Sequence, residues 1–385
     1  MTIKRTLLRL HVWLGITIGF FWALQGLTGA VLMFNRDGQT AWFAGHQQGP
    51  ILPFDTIIAR AGAATHAKVT HLETFGPDPA LMYAYHDTPA GERVAVVDGR
   101  TGAVLDVRDL EAPLPVGGST FPWLLRLHEA LLGGDTGQLV VGSSGILLLS
   151  SILVGLWNAW PQRSWRDSFR TSLWRTPTRQ LIGWHRMIGL IVVPALVVTF
   201  LCGIYLAFAP KLRPLLAEVA GYQMPFKAKP QSEAPRVAIS AERAFQLARA
   251  HFPGATMVRL VLPTAKSPVY LFRLLQPDDE RRWAGTSTIA IDPATGAVVN
   301  AYDSRNGPLA NRFTDEIYTI HTGDLGGAPG RALMLLAGLS LPFFYVTGLT
   351  TWLWARQRKR RNRAGQAGTP AIGRLAGEGG ITDQV

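Results

Sequence analysis

Residues 7–34 read LLRLHVWLGITIGFFWALQGLTGAVLMF, and beyond Arg9 the only titratable side chain in the run is His11. A helix of roughly 20 such residues crosses the hydrocarbon core of a bilayer, so this stretch predicts a membrane-spanning helix. The apolar region of a secretory signal is only about 7–15 residues long. The longer run here, behind Lys4, Arg5 and Arg9, therefore predicts a retained signal anchor. Three comparable stretches follow at about 138–160, 181–208 and 331–354.

The basic residues orient these spans. Segment 161–180 carries Arg163, Arg166, Arg170, Arg175 and Arg179 against one acid, Asp167. The chain after the fourth span carries Arg356, Arg358, Lys359, Arg360, Arg361 and Arg363. Together with the basic N-terminus they predict a single cytoplasmic face, because positive loops stay inside. The composition agrees, at 48% hydrophobic against 17% charged, and the net charge of +12 sits beside apolar blocks rather than on a nucleic-acid-binding face. The one cysteine, Cys202, lies in an apolar run. It excludes an internal disulfide and any Cys-x-x-Cys metal site, and reads as a packing residue.

The chain divides accordingly. The expected units are a first transmembrane helix (1–34), a first polar module (35–120), an interfacial lead-in with the second helix (121–160) and a basic cytoplasmic loop (161–180). A third helix (181–208), a second polar module (209–317), a lead-in with the fourth helix (318–355) and a basic, disordered cytoplasmic tail (356–385) complete it. The fold class is an all-α membrane four-helix bundle with two periplasmic α+β modules, in an inner membrane with both termini cytoplasmic. In the first module a helix near 53–66 precedes strands near 69–74, 81–85, 93–97 and 103–107. In the second, Ser240 caps a helix through about His251, followed by strands at 257–262, 269–275, 287–291 and 297–302. Both contain the same hairpin turn, Asp98-Gly-Arg-Thr101-Gly102 and Asp292-Pro-Ala-Thr295-Gly296. In each the Asp caps the turn and the last Gly takes the left-handed position.

The spans repeat as well. The first laid on the third pairs His11 with His185, Gly15 with Gly189, Gly29 with Gly203 and Phe34 with Phe208. The approaches to the second and fourth pair His128 with His321, Gly133-Gly134 with Gly326-Gly327 and Gly137 with Gly330; farther in, Gly155-Leu156 falls on Gly348-Leu349. Glycines and leucines align easily in apolar sequence, but the chain has only nine histidines and four form matched pairs. Two parallel repeats imply a pseudo-two-fold axis along the membrane normal.

The matched histidines carry the chemistry. His11 and His185 lie near the cytoplasmic ends of their spans, and His128 and His321 precede inward-running spans at the other boundary. An imidazole at the edge of hydrocarbon needs a partner, and neutral imidazole is a good axial ligand for haem iron. Two b-type haems, one held by His11 and His185 and one by His128 and His321, would satisfy all four. Arg126, Arg186 and Arg331 are candidates for haem-propionate contacts, with snorkelling at a helix end as the competing reading of Arg186 and Arg331. A structural role in helix–helix contacts is the bland reading of the histidines. His46, His66, His71, His86 and His251 lack this symmetry and read as surface residues, with a periplasmic metal or substrate contact among the first four as the alternative. Trp13, Trp22, Trp157, Trp160, Trp184, Trp352 and Trp354 cluster towards span ends, as interfacial anchors do.

The run Arg9-Leu-His11-Val-Trp13-Leu-Gly15, Thr28-Gly29, the two Asp-x-x-Thr-Gly hairpins, His321-Thr322-Gly323 and the span endings Gly155-Leu156-Trp157 and Gly348-Leu349 resemble the PepSY-associated transmembrane helix family. The resemblance covers nearly the whole chain up to about Arg363. One departure is that the fourth span ends Thr350-Thr351-Trp352, displacing its Trp relative to Trp157. The family includes iron-regulated inner-membrane proteins, some of them haem-containing ferric-siderophore reductases. The resemblance implies that activity, with His11, His128, His185 and His321 as haem ligands and a ferric siderophore or other Fe(III) chelate as substrate. The chain contains no Gly-x-Gly-x-x-Gly or phosphate loop, so a cytoplasmic reductase, reduced flavin or quinol is the expected electron donor. Nucleic acid is not an expected partner, and a homodimer stays open. The rivals are an inner-membrane transporter of ferric chelate or iron, expected to show acidic or broken helices near the midplane, and a non-enzymatic PepSY sensor or scaffold.

Overall fold

The computed structural model describes residues 3–43, 49–74, 78–89, 91–111, 114, 119–161, 164–166, 176–277, 279 and 285–367. His46, most of the basic loop and the tail after Ala367 lie outside the described residues.

The first crossing differs from expectation. It is two helices, α1 (Ile3–Thr17) and α2 (Gly19–Leu32), bent by 63°. Gly15 and Gly19 flank the bend, and the Thr17 hydroxyl donates back to the Trp13 carbonyl, a local bond that tilts helices. The simple four-helix bundle is therefore corrected. Among the described residues three helices are singly long and apolar enough to cross a membrane, and a fourth crossing needs α1 and α2 together.

After α2 come α3 (Asn35–Trp42) and α4 (Phe54–Thr65), then strands β1 (Val69–Thr74), β2 (Leu81–Thr88), β3 (Gly91–Asp98) and β4 (Val104–Asp109). The lead-in is α5 (Thr120–Ala130), followed by the crossing α6 (Gly134–Ala159). The third crossing, α7 (Pro177–Ala220), overshoots its expected end at Phe208 and stops at Gly221, whose φ of +66° suits glycine. Then come α8 (Ala241–His251), β5 (Thr256–Val261), β6 (Tyr270–Leu275), β7 (Ser287–Ile291) and β8 (Val298–Tyr302). The lead-in α9 (Leu309–Thr322) precedes α10 (Gly327–Ala367). α10 continues as helix to Ala367, where a disordered tail was expected from residue 356; its Arg, Lys and Gln are good helix formers.

The two polar modules are not separate. β1 pairs antiparallel with β5, with Leu72 opposite Leu260, and joins both into one eight-stranded antiparallel sheet ordered β4-β3-β2-β1-β5-β6-β7-β8. The pseudo-two-fold axis passes through this seam. α4 and α8 pack side by side on one face, and their N-termini cap each other. Asp55 accepts from the Ala241 and Glu242 amides, and Glu242 accepts from the Phe54 amide. Carboxylates there satisfy orphan N–H groups and the helix dipole. Beneath them lies one continuous core including Ile57, Leu72, Leu260, Phe272 and Ile289, each fully buried. Both hairpin turns form as expected. Thr101 Oγ1 donates to Asp98 and Thr295 Oγ1 to Asp292, while Gly102 and Gly296 take φ of +71° and +75°.

The other face of the sheet turns towards the membrane helices. α3, which leaves the end of α2, lies against it. Tyr83 donates to Gln39 at 2.9 Å, and Arg108 lies over the Phe43 ring. Below, α2 packs on α10, α6 on α7, and α7 on α10. Trp22, Leu148, Leu196, Ala337 and Leu341 form the buried centre of this bundle.

Candidate functional site

The structure brings the four matched histidines together in two facing pairs. The His11 and His185 ring centres are 6.4 Å apart with planes at 89°. The His128 and His321 ring centres are 6.5 Å apart with planes at 50°. His11 sits on α1 and His185 on α7; His128 and His321 sit on the lead-ins α5 and α9. On α7, His185 belongs to one tier and Gly203 touches the other, about 27 Å farther along at 1.5 Å per residue.

One atom of every ring is already committed. His11 Nδ1 lies 3.0 Å from the Ser151 carbonyl, and His321 Nδ1 lies 3.0 Å from the Thr199 carbonyl. A carbonyl only accepts, so both Nδ1 atoms carry the proton. His128 Nδ1 meets the Thr28 hydroxyl at 2.9 Å, and that hydroxyl donates to the Gln25 carbonyl. His185 Nδ1 meets the Thr347 hydroxyl at 2.9 Å, and that hydroxyl donates to the Phe343 carbonyl. Each hydroxyl spends its proton on its own helix, so it accepts from the imidazole. All four rings are therefore Nδ1–H tautomers with a free lone pair on Nε2. A partner on one ring nitrogen fixes both tautomer and ring orientation.

A glycine makes room beside each ring. A Cβ on Gly29 would lie 3.0 Å from His128 Cε1, on Gly155 3.1 Å from His11, on Gly203 3.3 Å from His321 and on Gly348 3.9 Å from His185. These are the repeat-matched glycines, so their recurrence has a packing cause. The sequence reading missed Thr28, Ser151, Thr199 and Thr347 as partners. A readable signal existed for two of them, because Ser151 and Thr199 each lie four residues before their glycine and so share its helix face.

The arginines are placed otherwise. Arg126 donates to the Leu110 carbonyl and so ties α5 to the sheet. Arg331 bonds the Met33 carbonyl and Asp37 at 2.8 Å, and its Nε lies 3.9 Å from Asp324, which also holds Arg36 at 2.6 Å. That cluster fastens the ends of α2 and α10. Arg186 is exposed on α7, and as the next residue after His185 it points about 100° round the helix from it. Of the unmatched histidines, His86 is fully buried against Thr65, and His71 stacks on Tyr85 at 4.2 Å, so neither is a simple surface residue.

Among the described residues no group of three or more His, Cys, Asp and Glu side chains could hold a metal ion. The donor sets on offer are the two imidazole pairs. No curated protein matches the chain. One family model does, described as the PepSY-associated TM region, and it matches residues 8–356. That range takes in both histidine pairs, all the crossings and the whole sheet, and so this membrane protein belongs to the PepSY-associated TM region family.

Proposed function

We propose that the chain holds two b-type haems, one between His11 and His185 and one between His128 and His321, and passes electrons across a bacterial inner membrane to an Fe(III) chelate of the ferric-siderophore type. The observation that carries this reading is the pair of facing imidazoles with every Nδ1 occupied. Ring centres 6.4 and 6.5 Å apart are close enough for both imidazoles of a pair to reach one metal at roughly 2 Å per bond. Two donors are too few for a bare ion but suit an iron whose other four ligands come from a porphyrin. A haem at each pair would supply one-electron Fe(III)/Fe(II) chemistry.

The residues of this chain do the rest. The Ser151, Thr347, Thr28 and Thr199 bonds hold each imidazole in the ligating tautomer, and the glycines leave space at its edge. The apolar helices around Trp22 and Leu341 keep water from the path between tiers. The substrate iron, once reduced to Fe(II), is held far more weakly by hard oxygen donors and is released. The basic N-terminus, loop and tail favour both termini in the cytoplasm and the sheet in the periplasm. Electrons would then enter at the His11/His185 end, from a reductase, reduced flavin or quinol. The arginines are not part of this proposal.

The test is the visible spectrum and haem stoichiometry of the purified protein, made with ample haem. Two bis-histidine haems per chain, with bands that sharpen on dithionite addition, are expected; a colourless preparation would overturn the reading. The bend at Ile18 favours a second reading, as a transporter of ferric chelate or iron. Against it, backbone bonds persist at the bend, with Ile18 bonded to Leu14 and Trp22 to Ile18, and residues 7–34 carry no acidic side chain to hold an ion. Uptake of radioactive iron by proteoliposomes without reductant would support the transporter instead.

A further inference from the structure

The seam of the sheet carries a feature that the redox reading does not use. The offset along the chain that carries Leu72 onto Leu260 also carries His71 onto Arg259 and Tyr85 onto Arg273. The repeats have diverged here. On one side of the axis His71 stacks flat on Tyr85, with ring centres 4.2 Å apart and planes at 8°. On the other side Arg259 stands directly opposite Arg273 on the neighbouring strand. All four lie on the face that turns towards the membrane helices, since Tyr83 on that face receives α3.

Two guanidiniums directly opposite on adjacent strands repel each other. Here they share one nearby carboxylate. Glu73 pairs with Arg259 at 3.1 Å, and no ion pair within 4 Å joins Arg273 to any acid among the described residues. The Nε atoms of both Arg259 and Arg273 are buried without a hydrogen-bond partner. Leaving a charged donor unpaired is unfavourable by more than an ordinary hydrogen bond is worth. Burial and then its acidic neighbour Asp87 push the carboxyl of the next acid, Glu92, above the ordinary range. His71 adds no charge at neutral pH, since burial and then Arg259 lower it to about 4. The face thus presents two adjacent guanidiniums with unpartnered Nε donors on one side of the axis and a flat aromatic pair on the other.

We infer that this face, between the sheet and the membrane helices, binds an aromatic anion, with the guanidiniums of Arg259 and Arg273 taking its oxygens and the His71–Tyr85 pair lying against its ring. Arginine suits this task, since its fork of donors matches paired oxygens. Joined to the proposed ferric-chelate reduction, on which this part alone rests, the site selects catecholate-type ferric chelates, which are anionic and aromatic, over uncharged hydroxamate-type ones.

Equilibrium binding to the full-length protein in nanodiscs tests this without using haem or turnover. The probes are the ferric complex of 2,3-dihydroxybenzoate and an uncharged ferric trihydroxamate. The catecholate complex is expected to bind, and Arg273→Gln and Arg259→Gln each to weaken it by roughly tenfold or more, while the trihydroxamate binds weakly and is indifferent to both changes. Tyr85→Leu separates the aromatic contact from the charge and is expected to weaken catecholate binding too. Thermal melts of each variant show whether it is folded, and Arg273→Lys, which keeps the charge but not the fork, is a milder second probe. Equal binding of both complexes, or catecholate binding unchanged in folded arginine variants, would overturn the site. A haem-free protein that still binds the catecholate complex in this manner would leave the site standing and remove only the redox reading.

Discussion

At the scale of single residues, the candidate site rests on which nitrogen of each imidazole is occupied. His11→Ala or His185→Ala is expected to remove one haem and spare the other, read by pyridine haemochrome; loss of both from one change would contradict independent sites. Thr347→Val removes the acceptor for His185 Nδ1 and is expected to weaken haem retention at that tier by roughly 10–100-fold, as for lost partners of other metal-binding histidines. The glycines allow a sharper contrast. A methyl on Gly155 meets His11 at 3.1 Å, whereas one on Gly348 meets His185 at an ordinary 3.9 Å. Gly155→Ala should therefore lower haem content while Gly348→Ala is tolerated; equal effects would show that the close approach does not matter. Outside the membrane, burial and then Arg259 hold His71 down to about 4. Between the ordinary value near 6.5 and about 4, the unfolded chain binds a proton that the folded one does not. Stability is full above that window and falls as pH drops through it. His71→Gln should flatten the melting temperature between pH 7 and pH 5.

At the scale of elements, the β1–β5 seam makes two repeats into one folding unit. Leu260 is fully buried there, opposite Leu72 and within the core shared by α4 and α8. Leu260→Ala is expected to destabilise the sheet by about 2–5 kcal/mol, the usual range for a buried leucine. Denaturation followed at both modules should show one shared transition; separate transitions would mean that the seam does not couple them. The hairpins, by contrast, are locally determined. Asp292 accepts from the Thr295 amide and hydroxyl and the Ala294 amide, and these bonds hold its carboxyl below the ordinary range. Its contribution is present above the ordinary carboxylate value and fades as pH falls through the lowered one.

At the scale of the whole molecule, duplication places two imidazole tiers and a joined sheet on one axis. Cys202 is the only cysteine and is buried in α7, so a Cys202→Ser background suits labelling from either side of the membrane. Cysteines introduced at exposed Arg358 and exposed Val299 should react from opposite sides; labelling of both from one side would refute the proposed topology. Much of this was legible beforehand. The strand positions followed from alternation and turn residues, and the facing histidines followed from the repeat. The bend at Ile18 was not legible, because Gly15, Thr17 and Gly19 recur in straight membrane helices too. The neighbours of the arginines were not legible either, because closeness in sequence ignores rotation about a helix: Arg186 follows His185 directly yet points about 100° away from it.

What the sequence determined alone was whatever local physics decides: which stretches are apolar enough to cross a bilayer, where strands alternate, where Asp and Gly turn the chain, and which histidines recur. Tertiary structure alone decided that two modules share one sheet, that Ser151, Thr28, Thr347 and Thr199 hold the histidines, and that Arg259 and Arg273 stand opposite each other beside Glu73. Those outcomes depend on contacts between residues tens to hundreds of positions apart, and hydrophobic periodicity carries no record of which distant partner closes a contact.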